Sequence, residues 1–210
     1  MKEEKVFIPS AGIQLEGLLS IHETLSHKGG LILCHPHPLY GGNMHHHVVR
    51  TGAEVAQKEG FSTLRFNFRG VGESGGSYNG GIGEKEDVEA AISFLHSRLN
   101  DSAFLLLFLG YSFGAWAGLP VAIRDERIKG MVAISPPLKM FDFGYLRGCK
   151  KRKLFIAGSR DPWCPTSLLE KWYQGLEEPK SLSLIQGADH FFSFHVNLLI
   201  QPLQEFFNQF

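Results

Sequence analysis

What most constrains this chain is an alternation of short, apolar, β-rich runs with longer segments of helical periodicity. A parallel sheet covered by helices on both faces is the architecture that buries such a pattern. Strands are expected at 31–34, 61–68, 103–109, 128–134, 153–157 and 182–185. The spacing predicts a helix over 44–59 with Met44, Val48, Val49, Ala53 and Ala56 on one face, closed by Gly60. A second helix carries Glu84, Glu86 and Asp87 in its first turn, favourable against the helix dipole, with Val88, Ala91, Ile92, Leu95 and Leu99 turned inward. A third starts at Ser112, and Pro120 is expected to kink or stop it. Ser167 and Glu170 suggest a capping box for a fourth, carrying Leu168, Leu169, Trp172, Tyr173 and Leu176. The last repeats Val196, Leu199, Ile200, Leu203 and Phe207, with a bend expected at Pro202. Only the opening departs from this rhythm: 6–8 and 13–21, split by Pro9-Ser10-Ala11-Gly12, predict an antiparallel hairpin at one sheet edge. At 210 residues the chain is expected to form one domain, 1–210.

Composition removes several classes of function. Lys and Arg number 21 and Asp and Glu 21, so no net charge asks for nucleic acid or an anionic membrane. The longest apolar run, 103–109, is far short of the roughly 20 residues that span a bilayer. Charges of both signs at Lys2, Glu3, Glu4 and Lys5, followed by a turn, do not resemble an export signal. Cys34, Cys149 and Cys164 share no CxxC spacing and are expected to be thiols of a reducing compartment, with the cytoplasm as the location.

Two segments match Gly-x-Ser-x-Gly, around Ser74 and Ser112, and context separates them. Ser74 runs into Ser77-Tyr78-Asn79-Gly80-Gly81, which cannot start a helix, so 70–83 is expected to be a mobile surface loop. Ser112 lies between a hydrophobic strand and Ala115-Trp116-Ala117-Gly118, where a strand can turn sharply into a helix and expose a nucleophile. A serine hydroxyl needs a base, and the base an acid to orient it. Asp161 and His190 each follow the C-terminal end of an expected strand, and in such sheets those ends share one edge. Asp142 is a rival for the acid, and Asp189 is expected to point elsewhere. For the oxyanion, one donor is expected to be the Phe113 N–H. The other should come from the loop after 31–34, where Pro36 and Pro38 carry no N–H and leave His37, Leu39 or Tyr40. One such donor is worth about 3 kcal/mol of transition-state stabilisation.

These motifs, in the order Ser, Asp, His, resemble the α/β-hydrolases from the first hairpin to the last helix. The likeness is strongest to small, capless members: dienelactone hydrolases, carboxylesterases and X-Pro dipeptidyl-peptidase-like enzymes. It rests further on His35-Pro36-His37-Pro38-Leu39-Tyr40-Gly41-Gly42 and on Arg69-Gly70-Val71-Gly72-Glu73-Ser74. The resemblance implies Ser112 as nucleophile, Asp161 as acid, His190 as base and His37 as the second oxyanion donor. It departs in two places: His35-Pro36 stands where His-Gly is usual, and serine replaces the cysteine nucleophile of dienelactone hydrolases.

The function implied is hydrolysis of a carboxylic ester or thioester of a small-molecule acyl substrate through an acyl-serine intermediate, without metal or organic cofactor. A peptidase or amidase with the same residues, and a non-catalytic binding module, are the alternatives. The histidines at 35, 37, 45, 46 and 47 lack metal-ligand spacing, since His45 and His47 would point to opposite sides of a helix. His35 is expected to brace its loop, and His45 or His46 to line the cleft. Only 135–152 is available for a cap, so the cleft should be open. Pro136, Pro137, Leu138, Met140, Phe141 and Phe143, with Trp163, Tyr40 and Phe191, would form an apolar wall or pack at the core's edge.

Overall fold

Alternation becomes architecture in the computed structural model, which describes residues 2–22, 27–99 and 105–210. Strands β1 (Glu4–Ser10) and β2 (Ile13–Ser20) form the edge hairpin, turning at Ala11 and Gly12 with φ of 43° and 84°. Then come β3 (Gly29–Cys34), β4 (Phe61–Phe66), β5 (Leu105–Tyr111), β6 (Ile128–Ile134), β7 (Arg152–Gly158) and β8 (Lys180–Ile185). They join in one sheet of order β1-β2-β4-β3-β5-β6-β7-β8, parallel from β3 onward, with β2 antiparallel to β1 and β4. Residues 103 and 104 of the expected strand 103–109 lie outside the described residues.

The helices are α1 (His47–Lys58), α2 (Ile82–Arg98), α3 (Phe113–Arg124), α4 (Thr166–Gln174) and α5 (Ile200–Phe207). Strands β3 and β4 are buried along their whole length because both sheet faces are covered, which explains their unbroken apolar character. On one face Leu31, Leu33, Leu107 and Leu109 pack with Val48, Val49 and Ala56 of α1 and Leu203, Phe206 and Phe207 of α5. On the other, Ile32, Leu106 and Phe108 meet Val88, Ala91, Ile92 and Leu95 of α2 and Ala115, Leu119 and Val121 of α3. The inward stripe expected of α2 is thus core. No helix among the described residues is long and apolar enough to cross a membrane.

Several helix ends differ from expectation, each for a local reason. α1 begins at His47, not Met44, because 43–46 form a turn: Asn67 Oδ1 accepts the Met44 N–H, and the His46 ring caps the helix. α3 passes through Pro120 to Arg124; packing on the sheet offsets the missing N–H bond. The Ser167/Glu170 capping box does not form, since α4 starts after Pro165 without a side-chain cap. Along α4 only Leu169 is fully buried. A reach-back of that kind occurs in α2, where Glu84 accepts the N–H groups of Gly81 and Asn79 at 2.7 and 2.8 Å. Pro202 is the third residue of α5, where no intrahelical N–H bond is needed, and a 3-10 turn at Val196–Leu199 precedes it. The glycine loop is tied down rather than loose: Ser74 is buried, donates to Asn67 O at 2.7 Å and accepts from Glu16 N at 2.9 Å.

Candidate active site

The C-terminal ends of β5, β7 and β8 bring the three expected side chains to one point. Ser112 follows β5 at φ 53° and ψ −117°, a backbone region costly for a residue with a Cβ, and so heads the turn into α3. The flanking glycines are needed for close approach. A Cβ at Gly110 would lie 2.5 Å from Ala115 Cα, and one at Gly114 would lie 2.5 Å from Cys34 O and 2.6 Å from His35 O. The alternative serine, Ser74, has Asn67 and Glu16 as partners and, among the described residues, no histidine.

His190 Nε2 is 2.9 Å from Ser112 Oγ, and His190 Nδ1 is 2.7 Å from Asp161 Oδ2. All three residues are buried. The second carboxylate oxygen, Asp161 Oδ1, accepts the N–H groups of Trp163 and Cys164 at 2.9 and 3.0 Å, which fixes its plane. Burial works to raise the Asp161 pKa, but the hydrogen bond and charge of His190 and the Trp163 amide outweigh it, leaving it below the ordinary carboxylate range. An ionised Asp161 makes Nδ1 the protonated nitrogen, so Nε2 offers its lone pair to the Ser112 hydroxyl. Asp142 instead accepts Gly144 N at 2.8 Å, and Asp189 binds Ser193.

The loop after β3 presents its amides unequally. Leu39 N donates to His37 Nδ1 at 3.2 Å and Tyr40 N to His37 O at 3.1 Å. The N–H groups of His37 and Phe113 have no acceptor among the described residues. His35 braces this loop: its Nε2 accepts Phe68 N at 3.0 Å while its Nδ1 donates to Pro36 O at 2.6 Å. Burial pushes His35 down to about 3, so it stays neutral.

Around Ser112 lies a cleft of about 360 Å3, walled by Tyr40, Pro137, Met140, Phe141, Trp163 and Phe191, with His37 and His46 as polar groups. Pro136, Leu138 and Phe143 stand outside this lining, and Phe143 is core. Of the two histidines considered for the cleft, His46 lines it and His45 is exposed outside it. Because His46 Nδ1 accepts Val48 N and burial lowers its pKa to about 4, a neutral ring with its proton on Nε2 edges the cleft. The 17-residue segment between β6 and β7 contributes only a 3-10 turn, Gly144–Leu146, and no cap. Among the described residues no group of three or more His, Cys, Asp or Glu is arranged to hold a metal ion. Sequence reading missed Tyr111, whose hydroxyl donates to His190 O at 2.9 Å. Nothing in its position beside Ser112 announces a bond to a residue 79 positions away.

Known proteins share this arrangement of elements. The alpha/beta hydrolase fold family matches residues 31–148. An uncharacterized protein of Rickettsia prowazekii (strain Madrid E) is 33% identical over 183 residues, 83% of this chain and 76% of that one. An alpha-beta serine hydrolase homologue from Coxiella burnetii superposes with a TM-score of 0.89 at 31% identity, covering 98% of this chain and 97% of its own. A Xanthomonas campestris protein described as an α/β serine hydrolase without lid does so with a TM-score of 0.89 at 26% identity, over 100% and 95%. Strand order, the sharp turn at Ser112 and these likenesses lead to one conclusion: the chain belongs to the alpha/beta hydrolase fold family.

Proposed function

We propose that the protein is a serine hydrolase that cleaves a carboxylic ester or thioester of a small, apolar acyl substrate. The observation that carries this reading is the continuous line Ser112 Oγ, His190 Nε2, His190 Nδ1 and Asp161 Oδ2, with steps of 2.9 and 2.7 Å across the hydroxyl–imidazole and imidazole–carboxylate contacts. Ser112 Oγ attacks the acyl carbonyl as His190 Nε2 takes its proton, and Asp161 stabilises the imidazolium formed. The carbonyl oxygen, now negative, lies against the N–H groups of Phe113 and His37, which no acceptor among the described residues occupies. His190 then protonates the departing alcohol or thiol, and water repeats the sequence on the acyl-serine. The apolar walls from Tyr40, Met140, Phe141, Trp163 and Phe191 favour a hydrophobic acyl or aryl group over a charged one. The buried thiols of Cys34, Cys149 and Cys164 suit a reducing compartment such as the cytoplasm.

The test is a panel of p-nitrophenyl esters, acyl thioesters and X-Pro amides, with Ser112→Ala as blank. Ester or thioester turnover lost by at least about a thousandfold in Ser112→Ala is expected. Turnover confined to the amides would replace the esterase reading with a peptidase. No Ser112-dependent turnover of any class would favour a binding module.

A further inference from the structure

The loop that carries His190 has no regular secondary structure, so its peptide groups find no ladder partners. Two successive carbonyls in it are instead held by side chains from other elements. The buried Tyr111 hydroxyl donates to His190 O at 2.9 Å, and His47 Nε2, from the first turn of α1, lies 2.7 Å from Phe191 O. Phe192, next in the chain, is buried at φ 54°, a backbone conformation unfavourable for a bulky side chain that needs such anchoring.

We propose that Tyr111 and His47 are positioning residues that hold the backbone of the general base in register with the nucleophile, and this rests on the serine-hydrolase reading above. The geometry is a closed ring. Tyr111 and Ser112 are adjacent in the chain; one bonds the carbonyl of His190 and the other its ring nitrogen. The separation of hydroxyl and imidazole is therefore set within two residues of the strand end, not across the whole sheet. Asp161 fixes the imidazole from its far side, so the ring is held through Nδ1 and through its own backbone. His47 secures the following carbonyl, on the side from which the unfavourable turn at Phe192 would relax. Misplacing a reacting group by about 1 Å can cost a hundredfold in rate, so loosening one anchor is expected to cost about tenfold.

The experiment is steady-state kinetics on the preferred ester with Tyr111→Phe, His47→Ala and the double variant. Tyr111→Phe removes one oxygen and leaves the ring that packs near His46 and His190. The expected result is kcat lowered about tenfold with KM within about twofold of wild type, because Tyr111 and Phe191 line the cleft but both hydrogen bonds end on main-chain carbonyls of the loop that carries His190. His47→Ala is expected to act in the same direction, and the double variant to lose less than the product of the two, since both anchors hold one loop. Folded Tyr111→Phe with unchanged kcat overturns the proposal, as does a change confined to KM. Should Tyr111→Phe fail to fold, unchanged kcat in His47→Ala, an exposed position, overturns it equally. In either case an inactive Ser112→Ala leaves the serine-hydrolase reading standing, whereas an active Ser112→Ala removes that reading itself.

Discussion

Ser112 sets backbone strain against the placement of its hydroxyl. Its φ of 53° and ψ of −117° cost of order 1–3 kcal/mol for a side chain with a Cβ, and the turn aims the hydroxyl at His190. Glycine tolerates that conformation but loses more freedom on folding, at roughly 0.5–1 kcal/mol. Ser112→Gly is therefore expected to be more stable than Ser112→Ala by about 1 kcal/mol, both being inactive; equal melting temperatures would show that the turn stores no strain. The three residues of the hydrogen-bonded line were readable because each follows a recognisable strand and two flanking glycines mark the first. Tyr111 was not readable, because its hydroxyl acts on a carbonyl brought near only by the finished sheet. Among the loop amides, proline removes two candidates and the family resemblance favours His37; the structure adds that the N–H groups of Leu39 and Tyr40 are already bonded.

At the level of elements, periodicity identified every described strand to within a few residues and the buried faces of α1 and α2. Helix ends were less legible, since they are decided by contacts with distant residues. Met44 looked helical from its spacing, but the Asn67 side chain takes its N–H and starts α1 three residues later. Pro120 is expected to kink or stop α3, but the helix is buried on the sheet along most of its length and continues to Arg124. Glu170 stood at capping-box distance from Ser167, while the carboxylate that does reach back is Glu84. The glycine-rich segment after β4 looked mobile by composition. Its order comes from Glu16 on β2, whose carboxylate accepts Asn67 Nδ2 at 2.8 Å and Glu73 N at 2.9 Å. Composition reports a chain's freedom before folding, not what tertiary hydrogen bonds leave of it.

Across the whole molecule, the parallel sheet gathers the ends of β3, β5, β7 and β8 at one edge, and the buried groups that support this edge link stability to pH. His35 is held to about 3 by burial, against the opposing effect of its bond to the Pro36 carbonyl, whereas an unfolded histidine protonates near 6.5. Between those values the unfolded chain binds a proton that the folded chain refuses. This contribution is therefore complete above pH 6.5 and is lost progressively as pH falls toward 3. By pH 4.5 the loss from His35 is about 3 kcal/mol relative to pH 7.5. Denaturant melts of wild type and His35→Gln should show the stability gap between them narrowing by about that amount on acidification. A gap independent of pH would contradict a neutral, buried His35. The most direct test of the central claim is covalent: incubate the protein with a fluorophosphonate and locate the adduct by peptide mass mapping. An adduct on Ser112, lost in Ser112→Ala and strongly slowed in His190→Ala, is the expected result. An adduct elsewhere, or labelling of Ser112→Ala equal to wild type, would contradict the account.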